Sequence, residues 1–234
     1  MFGLSVVFII VFVASSLLLV FVPQIDLWFS SLFYDPALHG PGHGGFPLRN
    51  NSVALIVYEV VAHVSRIVPL ALIVGGGTTL VWGRRLFGLD VKAYVYLLAV
   101  FFIGVVLIIN ALFKDCWTRA RPDETAEFGG DRRFTPAFVI AGERRINGSW
   151  PSGHATLGFY FVALGMVLKK RRTAVIAGAG ALGALIGLAR IAQGRHFLSD
   201  VVSAFFIMFA VARVLYWALY ETQVGSRWQC RDRS

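Results

Sequence analysis

Charged side chains are scarce in this sequence. Only 15% of the 234 residues are Asp, Glu, Lys or Arg, whereas about a quarter of a soluble domain is charged. Hydrophobic residues make up 57% of the chain, and the mean hydropathy is +0.69. These values exclude an ordinary soluble domain and indicate that lipid surrounds much of the chain.

Cysteine is also rare, and acidic residues are fewer than basic ones. The two cysteines are Cys116 and Cys230, and the topology below puts them on opposite sides of a membrane, which argues against a disulfide. The excess of basic residues gives a net charge of +9. They lie between apolar segments and form no continuous helical face, so nucleic acid is not an expected partner. A membrane surface and an anionic substrate explain them better.

Long apolar runs, in contrast, are abundant. A transmembrane helix needs about 20 mostly apolar residues, and six segments meet or nearly meet this length, roughly 3–23, 53–82, 93–113, 155–168, 173–191 and 198–220. Backbone groups in lipid must be hydrogen-bonded internally. We therefore expect an all-α integral membrane protein, a bundle of six transmembrane helices that forms a single domain over 1–234. A short interfacial helix is expected at about 25–34.

The orientation follows from the basic residues of the loops. Ten lie on the side of 83–92, 169–172 and 221–234, and nine on the other side. The loops of the first side are almost purely basic, so we expect both termini in the cytoplasm. Independently of this rule, six spans require the long loop 114–154 and the turn 192–197 to face the same side.

Three polar clusters lie at the ends of predicted spans on that shared side. Each combines a fixed spacing with residues that bind or transfer phosphate. The first is Lys114, followed after six residues by Arg121-Pro122. The second is Pro151-Ser152-Gly153-His154. The third is Arg190, followed after five residues by His196 and after three more by Asp200. The alternative is that they are interfacial anchors whose long side chains reach the headgroups. That alternative does not explain histidine and aspartate at a span boundary.

The clusters fit phosphoryl transfer. Lys114, Arg121 and Arg190 supply three cations for the phosphate oxygens. Ser152 and Gly153 lie where a helix should begin, a position that favours anions.

The two histidines supply the reactive groups. His196 and Asp200 are four residues apart, so they share a helical face. The carboxylate would orient the imidazole, which makes His196 the candidate nucleophile and a phosphohistidine the intermediate. His154 is the candidate general acid. No metal or cofactor is required by this arrangement, because the cations already neutralise charge.

These three motifs resemble those of the type 2 phosphatidic acid phosphatase superfamily. The resemblance implies six transmembrane helices, metal-independent hydrolysis of a lipid phosphate, and the same roles for Lys114, Arg121, Ser152, Gly153, His154, Arg190, His196 and Asp200. Ala189 stands where the family usually has serine. The sequence around 117–138 is similar to bacterial members that act on lipid A. Undecaprenyl diphosphate, phosphatidylglycerophosphate and phosphatidate are alternative substrates, and the resemblance implies a site on the outer face of a bacterial inner membrane.

Several features leave alternatives open. Arg119, Arg132, Arg133, Arg144 and Arg145 either bind a multiply anionic headgroup or pair within the loop. Glu59, His63 and Arg66 share a face of the second span. They either pair across helices, or line the substrate entrance or support the site. The formal Gly-x-Gly-x-x-Gly at 178–183 is expected to pack helices closely, because it lies within a span. Phosphotransfer to another lipid, and a non-enzymatic transporter or structural bundle, remain rival functions.

Overall fold

The computed structural model describes residues 4–38, 44–142, 147–168 and 170–222. Nine α-helices lie within these residues: α1 (Val6–Phe21), α2 (Gln24–Ser31), α3 (Ser52–Trp82), α4 (Val91–Ala99), α5 (Lys114–Trp117), α6 (Gly153–Tyr160), α7 (Val162–Val167), α8 (Arg172–Ala192) and α9 (Leu198–Tyr216). The π-helical segment Val100–Phe113 joins α4 to α5, and Trp217–Glu221 extends α9. The described residues contain no β-strand, so the all-helical prediction is confirmed. Arg144, Arg145 and Cys230 lie outside the described residues.

Capping residues and proline set the ends of these helices. Asn51 accepts the backbone N–H of Val53 at 2.9 Å and begins α3, and asparagine is a favoured N-cap. Gly83 ends α3 with a φ of 66°, which glycine adopts without steric cost. Pro23 lies between α1 and α2, which meet at an angle of 80°. Proline cannot continue the preceding helix, so α2 leaves the direction of α1.

The count of six spans is not confirmed. Four helical stretches are long and apolar enough to cross a membrane, and the bent pair α1–α2 makes up to five. The expected span 155–168 is only the short apolar stretch Gly153–Val167, about 22 Å long at the α-helical rise, against a hydrocarbon core of about 30 Å. The short helix expected at 25–34 is present as α2.

Small residues bring the central helices together. A Cβ built on Gly158 of α6 would lie 2.5 Å from the Cα of Gly183 in α8, and one on Gly187 would lie 2.4 Å from Val201 in α9. Only glycine permits such contacts, which confirms that Gly183 packs helices as predicted. Gly180 has open space instead. The apolar core formed by α4, the π-helical segment and α6–α9 holds the active end of the bundle in place.

Candidate active site

A cavity of about 260 Å³ opens at one end of the bundle, where the loops that precede α3 and α6 meet the turn between α8 and α9. Five of the predicted motif residues line it: Lys114, Arg121, His154, Arg190 and His196. The prediction that the loop 114–154 and the turn 192–197 meet on one side is therefore confirmed.

His196 and Asp200 form the predicted pair. The imidazole Nδ1 lies 3.3 Å from Asp200 Oδ2, which also accepts the backbone N–H of Phe197 at 2.9 Å. Burial lowers the pKa of His196 to about 4, although the hydrogen bond to Asp200 opposes this shift. A neutral imidazole that donates its Nδ1–H to Asp200 leaves the Nε2 lone pair for attack.

Arg119 lies behind this pair and is fully buried. Its Nη1 contacts Asp200 Oδ1 at 2.5 Å and Ser199 Oγ at 2.8 Å, its Nη2 contacts Asp26 Oδ2 at 2.9 Å, and its Nε donates to the Thr135 carbonyl at 2.7 Å. The headgroup role considered for Arg119 is therefore wrong, because every polar end of the side chain is satisfied inside the protein. Its contacts instead support Asp200.

The ring of Tyr58 joins two of the cavity residues. It stacks on the His154 ring at a centroid distance of 4.7 Å and an interplanar angle of 28°. The guanidinium carbon of Arg190 lies 5.1 Å from the same ring centroid, and Arg190 Nη1 donates to Gln193 Oε1. One side chain of α3 thus orients both the candidate acid and a candidate phosphate ligand.

Asn147 connects the other two cations. Its Oδ1 accepts from Lys114 Nζ at 3.3 Å, and its carbonyl accepts from Arg121 Nη2 at the same distance. Its own backbone N–H donates to Asp115 Oδ1 at 3.1 Å. This residue fixes the spacing of Lys114 and Arg121.

Ser152, Gly153 and Asp200 lie outside the wall of the cavity. Ser152 is fully buried, and its Oγ caps α6 by accepting the N–H of Ala155. Its own N–H donates to the carbonyl of Asp200 at 3.0 Å, which ties the second cluster to the third. Gly153 packs against Lys114, because a Cβ there would lie 2.9 Å from Nζ.

Glu59, His63 and Arg66 do not line the cavity. His63 Nδ1 lies 2.7 Å from the carbonyl of Glu59 within α3, and 3.9 Å from the Glu59 carboxylate. The contacts of Glu59 and His63 are therefore made within one helix rather than across helices.

Several cavity residues were not predicted: Arg49, Tyr58, Asn147, Gln193 and Arg195. Two of them could have been predicted from the sequence. Arg195 lies inside the third cluster, and Arg49 is the one basic residue of the loop 24–52, which the parity of the spans places on the active side. No sequence pattern pointed to a role in the site for Tyr58, Asn147 or Gln193.

Known proteins share this sequence pattern. Residues 93–223 match the PAP2 superfamily, a match that covers more than half of the chain. The chain belongs to the PAP2 superfamily. The match contains all three motifs and confirms the predicted family.

Three curated relatives are each called lipid A 4'-phosphatase. The protein of Rhizobium leguminosarum is 33% identical over 86% of this chain and 89% of its own length. The protein of Rhizobium etli is 31% identical over 86% of this chain and 81% of its own length. That of Francisella tularensis subsp. novicida is 36% identical over 56% of this chain, a match that spans only 60% of its own length.

A solved structure also resembles the chain. It is the transmembrane PAP2-type phosphatidylglycerolphosphate phosphatase of Bacillus subtilis, with 19% identity, a TM-score of 0.47, and coverage of 87% of this chain and 96% of the other.

Proposed function

We propose that this membrane lipid phosphatase removes phosphate from a lipid A-type substrate through a phosphohistidine on His196. The observation that carries the proposal is the His196–Asp200 pair in the wall of a cavity that also contains Lys114, Arg121 and Arg190. A nucleophile, its orienting carboxylate and three cations for the phosphate oxygens are thus gathered in one place.

The reaction divides into two displacements. His196 Nε2 attacks phosphorus, the bond from phosphorus to the lipid oxygen breaks, and that oxygen takes a proton from His154. Water then attacks the phosphohistidine, His154 accepts the proton of the water, and inorganic phosphate leaves with His196 restored. The three cations bind the phosphate oxygens in both steps and stabilise the charge that develops on them.

Protonation of His154 is coupled to substrate binding. Burial lowers the pKa of His154, and the neighbouring Arg190, His196, Lys114 and Arg121 lower it further. A bound phosphate dianion opposes those positive charges and raises that pKa. The general acid therefore gains its proton when the substrate is present.

The choice of lipid A rests on the three lipid A 4'-phosphatase relatives, and the family and these relatives support the class of lipid phosphate hydrolase. The cavity lies at the end of apolar helices, so the acyl chains of a lipid can stay in the bilayer while the phosphate enters. The basic loops at the opposite end favour a site on the outer face of the inner membrane, with both termini in the cytoplasm.

The test is a phosphate-release assay of the purified full chain against lipid A, undecaprenyl diphosphate, phosphatidylglycerophosphate and phosphatidate. We expect release from lipid A to exceed release from the others, and His196→Ala and His154→Ala to abolish it. His63→Ala is the matched control, because that histidine lies outside the cavity, and it should retain activity. If the substrate phosphate is labelled, transfer of the label to an acceptor lipid without release of free phosphate would favour a phosphotransferase. Inhibition by EDTA would contradict metal-independent chemistry.

A further inference from the structure

We propose that Asp26 of α2 is a positioning residue for the reaction, whose negative charge acts through Arg119 and Asp200 to stabilise the positive charge that His196 gains on phosphorylation. This role rests on the proposed function and adds a residue to its mechanism. Asp26 lies outside residues 93–223, the part of the chain that matches the family. The bent N-terminal helix pair would thus contribute to the chemistry of the three motifs.

Asp26 is fully buried, and both oxygens of its carboxylate are hydrogen-bonded. Oδ1 accepts the backbone N–H of Ser199 at 2.8 Å. Oδ2 accepts from the Ser199 hydroxyl at 2.5 Å and from Arg119 Nη2 at 2.9 Å. Ser199 lies in the first turn of α9, between His196 and Asp200 in the chain. Asp26 therefore contacts the segment that carries the nucleophile and its carboxylate.

Alternating charges connect Asp26 to the nucleophile. Arg119 contacts Asp26 through Nη2 and Asp200 through Nη1, and Asp200 Oδ2 lies 3.3 Å from His196 Nδ1. Among the residues that the structure describes, the ion pairs of Asp26, Arg119 and Asp200 involve only one another and His196. All three side chains are fully buried, so little water screens their charges.

The charges of Asp26, Arg119 and Asp200 sum to −1. Without Asp26, the ion pair of Arg119 with Asp200 would be neutral and would offer His196 little negative charge. Asp26 restores one negative charge on the protein side of the imidazole. That charge is offset when the ring becomes positive, which happens when Nε2 bonds to phosphorus while Nδ1 keeps its hydrogen.

The cavity side of His196 does not supply this counter-charge. The three cations assigned to the phosphate line the cavity with His196 and disfavour a positive charge on its ring. The phosphate offsets these cations while it is bound. A positive charge on the imidazole is therefore stabilised from the opposite side, where Asp200 and Asp26 lie.

The test compares two anions on the purified full chain. Inorganic phosphate binds to the cations without a bond to His196. Orthovanadate can in addition accept His196 Nε2 as a fifth ligand, which puts positive charge on the ring as the reaction does. Affinity is measured by thermal stabilisation, which requires no turnover. Wild type should bind vanadate more tightly than phosphate, and His196→Ala should lose that preference.

Asp26→Asn and Asp26→Ala should lower the affinity for vanadate about tenfold, an effect expected for one partly screened unit charge. Their affinity for phosphate should stay within about twofold of wild type, which also reports that the cavity is folded. Loss of a negative charge from the protein does not weaken binding of a free anion, so a loss confined to vanadate identifies the charge on the ring. In turnover, kcat should fall about tenfold with KM little changed.

Ser199→Ala is the matched control for a purely structural role. It removes the hydroxyl that contacts Asp26 and Arg119 but keeps the Asp26 charge, so it should keep the preference for vanadate even where its Tm falls. Asp35→Asn removes an acid of the segment after α2, whose carboxylate accepts the N–H of Ala37, and should change neither affinity.

Three results would overturn the role of Asp26: equal affinity of wild type for the two anions, equal changes of both affinities in the Asp26 variants, or the same selective loss in Ser199→Ala. If the Asp26 variants selectively lose vanadate but wild type releases no phosphate from any lipid, the proposed function fails while the role of Asp26 stands. Phosphate release from lipid A with a normal kcat in Asp26→Asn would keep the function and contradict that role.

Discussion

Arg119→Lys tests how a residue that touches no substrate controls the nucleophile. The substitution keeps the positive charge but removes the planar fork, which contacts Asp200 and Asp26 through different nitrogens. A lysine ammonium cannot hold both carboxylates in this geometry. One buried carboxylate then loses its partner, and Asp200 loses the contact that fixes it beneath His196.

The expected magnitude follows from the hydrogen bonds that the substitution removes. At least two charge-assisted hydrogen bonds disappear, each contributing about 1.5–3 kcal/mol, and removal of one partner from a buried ion pair costs about 3–5 kcal/mol. We expect Arg119→Lys to lower the free energy of unfolding by about 3–5 kcal/mol, equivalent to a fall in Tm of roughly 6–20 °C.

The assay separates support from substrate binding. Below its Tm the variant should show a kcat at least about tenfold lower, because Asp200 no longer orients His196, with KM little changed. Arg132→Lys is a control, as it conserves charge in the same loop. A variant with normal Tm and kcat but a raised KM would refute the reasoning, because that pattern belongs to a residue that binds the headgroup.

Three further substitutions or conditions give distinct outcomes. Gly153→Ala should lower phosphate release about tenfold without loss of stability. The new Cβ would lie 2.9 Å from Lys114 Nζ and so displaces a flexible cation rather than backbone. The control Gly178→Ala places its Cβ in open space and should leave turnover unchanged. Tyr58→Leu should reduce kcat several-fold by removing the ring that stacks on the general acid, whereas Tyr58→Phe should stay within about twofold of wild type. The pKa of His196 is lowered to about 4 in the folded protein. Its neutral form therefore stabilises the fold above about pH 6.5, by up to about 3 kcal/mol, and this contribution is lost as the pH falls through about 4. Chemical unfolding at about pH 7 and about pH 4.5 should show that loss in wild type and a smaller one in His196→Gln.

The sequence predicted the residues whose spacing is local. His196 and Asp200 are one helical turn apart, and Lys114, Arg121, His154 and Arg190 lie at span ends that parity places together. Their convergence could be inferred without coordinates, because membrane helices have few possible arrangements.

The residues that support them could not be predicted in this way. Asp26 accepts from Ser199, 173 residues away, and Arg49 contacts Gln193, 144 residues away. Such contacts depend on the bend between α1 and α2 and on the path of the loop before α3. The same limit explains the wrong headgroup role of Arg119, since its burial follows from tertiary packing rather than from its position in a polar loop.

The same packing explains why the count of six spans is not confirmed. Apolar composition predicted the segment 155–168 as a crossing helix, but the helix is broken between Tyr160 and Val162. Its residues are largely buried against α8 and α9. A hydrophobic segment that lies inside a bundle carries the same composition as one that faces lipid, so hydropathy alone does not separate the two.

Trapping the covalent intermediate tests the phosphohistidine mechanism most directly. Full-length protein is mixed with lipid A labelled on its 4'-phosphate, quenched within milliseconds and digested for mass spectrometry. Attack by His196 predicts label on this residue that resists alkali and is lost in acid, as expected of a phosphohistidine, and no label in His196→Ala. Label on another residue, or rapid phosphate release by His196→Ala, would contradict it.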